Sequence, residues 1–316
     1  MKVATTTGFL QRSLTVINSD HEPNCGPNDV LIDVYASSVN PKDWKLNQNF
    51  SSLVPRLAGY APKIIGDDLA GVVLQCGSRV RDFAVGDEIY GMDMNWRTAA
   101  CAERAVISQQ KIAHKPTTLS FSEAAAVPLA GLTALQALRA GNIKAGSNVL
   151  VIGASGGVGC FAIQIAKAYG AKVTGVCSHR NLALVSDLGA DDVIDYTKSD
   201  YQQVTAHYDL VFDATSYETP QACSTLLREG GSFISTGGHS KAYFGWAAAK
   251  LRPNKRTATV VFVKPNTADL DTLRTLIDTD KVKVVMDSQF NLQDIGQAYA
   301  RSKTGRARGK IGIIIR

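Results

Sequence analysis

From Lys2 to about Pro116, apolar and polar positions alternate in short runs such as "DVLIDVYASSVN", "LAGVVLQCGS", "VGDEIYG" and "CAERAVIS", separated by Gly, Asn and Asp. A period of two broken by turn residues predicts many short, half-buried strands in a β-rich domain. From about Leu119 the pattern lengthens. "SFSEAAAVPLAGLTALQALRAG" has helical spacing, with Ser120 or Ser122 as N-cap and Gly141 as the stop. Six continuous apolar runs follow: "NVLVIG", "AKVTGVC", "DVIDY", "YDLVFDA", "GSFIST" and "TATVVFV". Helical stretches are predicted between them at 157–169, 181–188, 199–206, 220–228 and 243–251. Apolar strands alternating with helices predict an α/β fold, a doubly wound parallel sheet of six strands covered on both faces. Beyond the sixth strand, one or two helices and closing strands return to the β-rich part. The domains are therefore expected at 1–120 with 265–316, and at 121–264.

Composition narrows the classes. The 316 residues are 45% hydrophobic and 20% charged, the balance of a soluble globular protein. No run of 18 apolar residues occurs, and "MKVATTTGFLQRS" does not read as a secretory leader. The net charge of +6 comes from 34 Lys+Arg against 28 Asp+Glu, with both signs mixed along the chain rather than clustered as for nucleic acid. One dense basic run, "KTGRARGK", reads either as a solvated tail or as a phosphate-binding strip that would include Arg308. The six cysteines are widely spaced with no CxxC pair, which argues against structural zinc and a disulfide framework and for a reducing compartment. The expected location is the cytoplasm, with targeting by a removed organelle segment as the alternative.

The chemistry begins at Gly153-Ala154-Ser155-Gly156-Gly157-Val158-Gly159. This turn follows an apolar strand, opens a helix, and precedes a second strand at the distance of a dinucleotide-binding unit. Glycines let backbone approach a pyrophosphate, and the helix N-terminus offers free N–H groups there. At the end of the second strand, where an acid would hold ribose hydroxyls, the chain has Ser178, Arg180 and Asn181. A guanidinium suits a 2′-phosphate, and Tyr196 beyond the third strand is placed to assist, so the cofactor expected is NADPH. Read alone, Arg180 is also an ordinary solvent-facing first-turn residue.

"SSVNPKDWKL", "GDDLAGVV", "VGDEIYG", "AAAVPLAGLTALQAL", "GASGGVG" and "GRARGKIGI" together resemble the medium-chain dehydrogenase/reductase superfamily, above all its zinc-independent quinone oxidoreductases and enone reductases. The resemblance covers nearly the whole chain in order. It implies a GroES-like β domain beside a Rossmann domain, with the active site in the cleft between them. Zinc-dependent members place a cysteine where this chain has Asn40, and a histidine and an acid at Asp67 and Asp68. They also carry a four-cysteine lobe absent here. No metal is therefore expected.

Metal-free hydride delivery from NADPH suits a quinone or an α,β-unsaturated carbonyl, because conjugation spreads the developing charge. In "VNPKDWKLN", Asn40 is placed to donate to a substrate oxygen, Lys45 to hold the nicotinamide ribose or pass a proton, and Asp43 to orient Lys45. Asn40-Pro41 is equally good turn chemistry, and Lys45 is equally at home in solvent. Thr133 matches a position that contacts the nicotinamide amide in relatives. Gly237, Gly238, Phe262 and Val263 fall at the ends of strands five and six, the edge where such sheets bind ligands. Trp44, Tyr60, Trp96 and Phe244 form a candidate apolar pocket or an ordinary core. A zinc-type alcohol or carbonyl dehydrogenase and a non-catalytic NADPH-binding redox sensor are the competing readings. "TATVVFV" is expected to bury both faces and to leave one edge for pairing with a second copy as a homodimer, unless Lys255 and Arg256 protect a monomer.

Overall fold

The computed structural model describes residues 1–7, 13–20, 22–48, 65–94, 100–204, 207–236 and 257–316. The chain divides into two compact units: Met1–Leu129 with Pro265–Asp278 and Met286–Arg316, and Ala130–Lys264 with Thr279–Val285. The first unit opens with β1 (Lys2–Thr7) and β2 (Ser13–Asn18), an antiparallel pair. It continues through β3 (Asp29–Val39), α1 (Pro41–Gln48), β4 (Asp68–Cys76), β5 (Glu88–Met92), β6 (Arg104–Ser108), β7 (Ile112–His114) and α2 (Phe121–Ala125). Helix α3 (Pro128–Ala140) leads into β8 (Asn148–Ile152), α4 (Gly157–Ala168), β9 (Lys172–Cys177), α5 (Leu182–Asp187), β10 (Asp192–Asp195), β11 (Tyr208–Asp213), β12 (Leu227–Thr236) and β13 (Thr257–Val261). The last elements are α6 (Thr267–Asp278), β14 (Met286–Asn291), α7 (Ile295–Lys303) and β15 (Lys310–Ile314).

Strand β3 organises the first unit. Its sheet runs β14-β15-β3-β4-β5-β7, with β6 also paired to β3. Val30, Ile32 and Val34 alternate inward as the sequence pattern predicts, each a buried side chain contributing about 1.5–3 kcal/mol. From Ala36 to Val39 every residue is buried, because β15 takes over the edge that β6 leaves. That fully enclosed strand end is where Ser37, Ser38 and Asn40 stand.

All six expected strands of the second unit form, entirely parallel, in the order β10-β9-β8-β11-β12-β13 among the described residues. The order reverses beside β8, whose carboxyl end runs into the glycine turn. The segment Thr279–Val285 is tied here through Gln164, which donates to the Lys283 carbonyl at 2.9 Å and accepts from the Lys283 N–H at 2.7 Å.

Four expectations change. The single helix expected after Leu119 is two, because Pro128 has no N–H to continue the first and suits the opening turn of the second. The expected cap Ser120 is borne out, of the two candidates, by its reciprocal capping box with Glu123. Of the stretch 199–206, the described residues 199–204 form only a single turn, Tyr201–Gln203, which Asp200 closes through the Gln202 N–H. The helix expected at 220–228 shrinks to a turn at Ser224–Leu226, since Leu227 already pairs with Tyr208 as the start of β12. Finally, β13 is the sheet's last strand, but its faces are half-buried at Ala258, Val260 and Val261 and exposed at Thr259, because among the described residues only β12 pairs with it. The stretch 243–251 lies outside the described residues.

Candidate active site

Three strands of the first unit converge on one carboxylate. Asp68 opens β4, Ser38 sits near the end of β3, and Asn40 follows that strand directly. Register Ile311↔Val39 sets Lys310 beside them. Asp68 Oδ2 accepts from Ser38 Oγ at 2.6 Å and Asn40 Nδ2 at 2.7 Å, while its Oδ1 accepts from the Leu129 N–H at 2.8 Å. The Lys310 ammonium lies 3.5 Å from Asp68 Oδ2 and donates to Asn40 Oδ1 at 2.5 Å and the Val39 carbonyl at 3.4 Å. Asp68 and Lys310 are 0% and 4% exposed, so this ion pair survives in the interior only because polar neighbours solvate both charges.

This geometry gives Asn40 and Asp43 partners within the first unit. The Asn40 amide is buried and spans Asp68 and Lys310, so it braces the ion pair instead of presenting a donor to substrate. Asp43 turns its Oδ2 to the Asn40 backbone N–H at 2.8 Å, closing the first turn of α1. Burial, then the neighbouring Asp67, push the Asp43 carboxyl well above its usual range. Asp67 pairs with Lys42, and Cys101, pushed up to about 12 by burial, donates to Ser37 Oγ at 3.4 Å. Lys45 lies in α1. Trp44 donates its ring N–H to Ser302 Oγ at 3.0 Å and packs in a core cluster, the ordinary one of its two readings.

In the second unit, Gly153 has φ +79°, a left-handed conformation that favours glycine. A Cβ on Gly159 would lie 2.2 Å from the Gly153 carbonyl oxygen, so helix and turn can touch only without one. A Cβ on Gly156 meets only that oxygen, at 3.4 Å. Helix α4 starts at Gly157 with no side-chain cap, and Gly157 and Val158 lie in its first turn. This is backbone arranged for an anion.

The turn and the end of β9 meet through Asn181. Its Nδ2 donates to Ser155 Oγ at 2.8 Å and Ser178 Oγ at 3.3 Å, and its buried Oδ1 has no hydrogen-bond partner. Arg180 is exposed beside them. Tyr196, 56% exposed, follows β10 with its N–H on the Cys177 carbonyl at 3.1 Å. Thr133 is buried on α3, and Phe262 and Val263 follow the carboxyl end of β13, with Phe262 60% exposed. Arg308 belongs to the first unit, where its backbone N–H donates to Asp287 Oδ1 at 2.8 Å. The basic run is thus divided: Lys310, at its end, is interior. Gly237, Gly238, Tyr60, Trp96 and Phe244 lie outside the described residues.

Sequence reasoning missed Lys310 and the loop after β11. Asp213 Oδ1 accepts from the Thr215 N–H, the Thr215 hydroxyl and the Ser216 N–H, and its Oδ2 from Glu218 N–H and Ser235 Oγ. The loop holds Ser216 at φ +64°, a strained value for serine, on the edge where these sheets bind ligands. The available signal was an acid ending an apolar strand in "LVFDATS".

The two halves differ in what they fit. The glycine cradle and uncapped helix start fit a dinucleotide. The Asn40, Asp67 and Asp68 set does not fit zinc: an amide and a carboxylate already share an ammonium, and the second carboxylate holds Lys42. Among the described residues no group of three His, Cys, Asp or Glu is arranged to hold a metal.

Known proteins agree with this architecture. A family model described as an alcohol dehydrogenase GroES-like domain matches residues 26–137, and one described as zinc-binding dehydrogenase matches 188–313. The chain is 31% identical over 325 residues to the NAD(P)H oxidoreductase RTN4IP1, mitochondrial, of Danio rerio, covering 92% of this chain and 84% of that protein. It is 33% identical over 305 residues to a 2-methylene-furan-3-one reductase of Solanum lycopersicum, covering 92% and 73%. The solved quinone oxidoreductase from Coxiella burnetii superposes with a TM-score of 0.89 at 31% identity, covering 100% of this chain and 99% of that one.

Proposed function

The chain belongs to the medium-chain dehydrogenase/reductase superfamily and has the fold of its oxidoreductases, and from that premise we propose that it reduces a quinone or α,β-unsaturated carbonyl with NADPH and without a metal. The carrying observation is Lys310: a fixed ammonium already satisfies the amide and acid that stand at the superfamily's metal positions. A divalent cation there would face that charge at hydrogen-bond range. This donor set speaks against polarising an alcohol or isolated carbonyl through zinc, whereas a conjugated acceptor delocalises its own developing charge.

NADPH, when bound, supplies the hydride. The N–H groups opening α4 at Gly157 and Val158, with Gly156, hold the pyrophosphate, and Ser155, joined to Ser178 through Asn181, stands on the 2′-phosphate side of the turn. Ser178, Arg180, Asn181 and Tyr196 surround the 2′-phosphate. Thr133, Gly237, Phe262 and Val263 orient the nicotinamide, and Lys45 holds its ribose or passes a proton. In this reading Asn40, Asp43 and Asp68 keep the first unit's polar centre rigid. The protein acts in the cytoplasm as a homodimer, with organelle targeting the alternative, since some relatives are named mitochondrial and others chloroplastic. Among the described residues no helix is long and apolar enough to cross a membrane.

The test is NADPH consumption with a panel of quinones, enones and simple alcohols, with and without a chelator. Quinone or enone turnover unchanged by the chelator supports the reading. Alcohol oxidation lost with a bound metal replaces it with the zinc-type reading, and cofactor binding without turnover of any acceptor replaces it with a sensor. Arg180→Ala should raise the NADPH Kd about tenfold and leave NADH nearly unchanged, since one charge-assisted contact is worth about 1.5–3 kcal/mol. Equal loss for both cofactors in a titration would mean that Arg180 acts through folding.

A further inference from the structure

We propose that Asn181 is a positioning residue that makes Ser155 and Ser178 into a pair of outward hydroxyl donors, and that this pair sets the preference for a 2′-phosphorylated dinucleotide. The inference rests on the NADPH reading above and deepens it. Its starting point is one amide nitrogen shared between two serines from different elements, at 2.8 Å to Ser155 Oγ in the glycine turn and 3.3 Å to Ser178 Oγ after β9.

A hydroxyl has one hydrogen to give and two lone pairs to receive. Asn181 Nδ2 has two hydrogens, and each is placed on one serine oxygen. Both hydroxyls therefore receive from inside, and each keeps its own hydrogen to give elsewhere. Neither has another protein acceptor among the described residues, and both serines are only half-buried, so those hydrogens are available to a ligand. An acceptor-only ligand with several oxygens, a phosphate, matches two such donors converging from one amide.

The backbone builds this arrangement. Residues His179–Asn181 form a single tight turn in which the Asn181 N–H donates to the Ser178 carbonyl at 2.9 Å, bringing the Asn181 side chain back over Ser178. The amide itself is buried, which fixes it while the serines reach the surface. Arg180, inside the same turn, adds positive charge. The acid near this corner, Asp195, is already occupied: its Oδ1 accepts from the Thr197 N–H and hydroxyl, and its Oδ2 faces His179 Nδ1 at 3.2 Å. An aspartate at 181 would invert the device. It would take both hydroxyl hydrogens inward, leave only lone pairs facing the ligand, and add a charge of the wrong sign.

The experiment is equilibrium titration of the full chain with NADPH and NADH, and with 2′,5′-ADP and 5′-AMP, which lack the nicotinamide and give a readout independent of turnover. Asn181→Leu, which removes the amide at similar volume, should raise the Kd for NADPH and 2′,5′-ADP about fivefold or more and change NADH and 5′-AMP less than about twofold, the size of a lost neutral hydrogen-bond contribution. Asn181→Asp, which keeps the shape, should abolish the preference. In a double-mutant cycle with Ser155→Ala/Ser178→Ala, Asn181→Leu should add no further loss, because the amide acts only through those hydroxyls. Equal weakening of all four ligands would reduce Asn181 to a structural role, and additive losses would show that it acts by another route. Either result overturns the inference. A wild-type protein that binds NADH as tightly as NADPH overturns the cofactor reading itself, whereas a wild-type preference that survives Asn181→Asp overturns the inference alone.

Discussion

Removing the Lys310 ammonium would leave Asp68 wholly interior with only three neutral donors, from Ser38, Asn40 and Leu129. Lys310→Met keeps the apolar stem but strands the carboxylate, and breaking one side of a buried pair costs about 3–5 kcal/mol. Urea unfolding should report a loss of that size, and Lys310→Met/Asp68→Asn should recover part of it. An unchanged midpoint would mean that the pair contributes nothing. Asp43 gives a second measurement at this scale. Its folded carboxyl is raised, first by burial and then by Asp67, with Lys42 opposing and Asp68 adding to the rise. The unfolded chain therefore releases that proton from about pH 4, where an ordinary aspartate ionises, while the folded chain still holds it, so stability declines as pH rises toward the folded value. Asp43→Asn keeps the acceptor for the Asn40 N–H, and should flatten that decline in chemical unfolding followed from about pH 4 to 7. A slope equal to the wild type's would assign it to other groups. The roles of Lys310 and Asn40 were not legible from sequence in this form. Lys310 reads as a solvated lysine in a basic run until β15 is seen pairing with β3, and Asn40 reads as a donor to substrate until its partners are known.

At the level of elements, regular pattern was a reliable guide and short polar connections were not. The six apolar runs, each bounded by turn residues, became the six parallel strands: β8, β9 and β11 inside the sheet are buried on both faces, which tolerates little but apolar side chains, whereas the end strands β10 and β13 are half-buried to exposed. The stretches 199–204 and 220–228 carry weak apolar spacing: in the first the Asp200 side chain closes a single turn, and in the second β12 already begins at Leu227, so neither propagates a helix. The glycine turn was legible as a nucleotide element, and the structure separates the duties of its glycines. Gly159→Ala would drive a Cβ to 2.2 Å from the Gly153 carbonyl oxygen, so the turn and helix must part, and the melting temperature should fall with or without cofactor. Gly156→Ala meets that same oxygen at 3.4 Å, so the melting temperature of the free protein should stay near wild type while NADPH binds more weakly. Equal melting temperatures for the two variants would contradict this division.

For the whole molecule, membership of a superfamily fixes architecture more firmly than assembly. Strand β13 ends the parallel sheet, paired on one side to β12, and among the described residues no strand occupies its other side. Its exposed residues are not those of a well-protected edge: Thr259 is exposed, Val260 and Val261 are half-buried, and Phe262 is 60% exposed just beyond the strand. An edge with no strand partner among the described residues, beside half-buried apolar side chains, suits a second copy of the same edge, related by a two-fold axis that makes both partners equivalent. Pairing would extend the sheet continuously across the two chains and would supply the burial that the sequence pattern of "TATVVFV" calls for and the single chain does not provide. Sedimentation at micromolar concentration should then give twice the 33.8 kDa chain mass. Thr259→Lys, a charge at an exposed strand position, should shift the population to monomer without lowering the melting temperature of the isolated chain. A wild-type protein that sediments as a single chain, or a dimer indifferent to Thr259→Lys, would place the contact elsewhere or remove it.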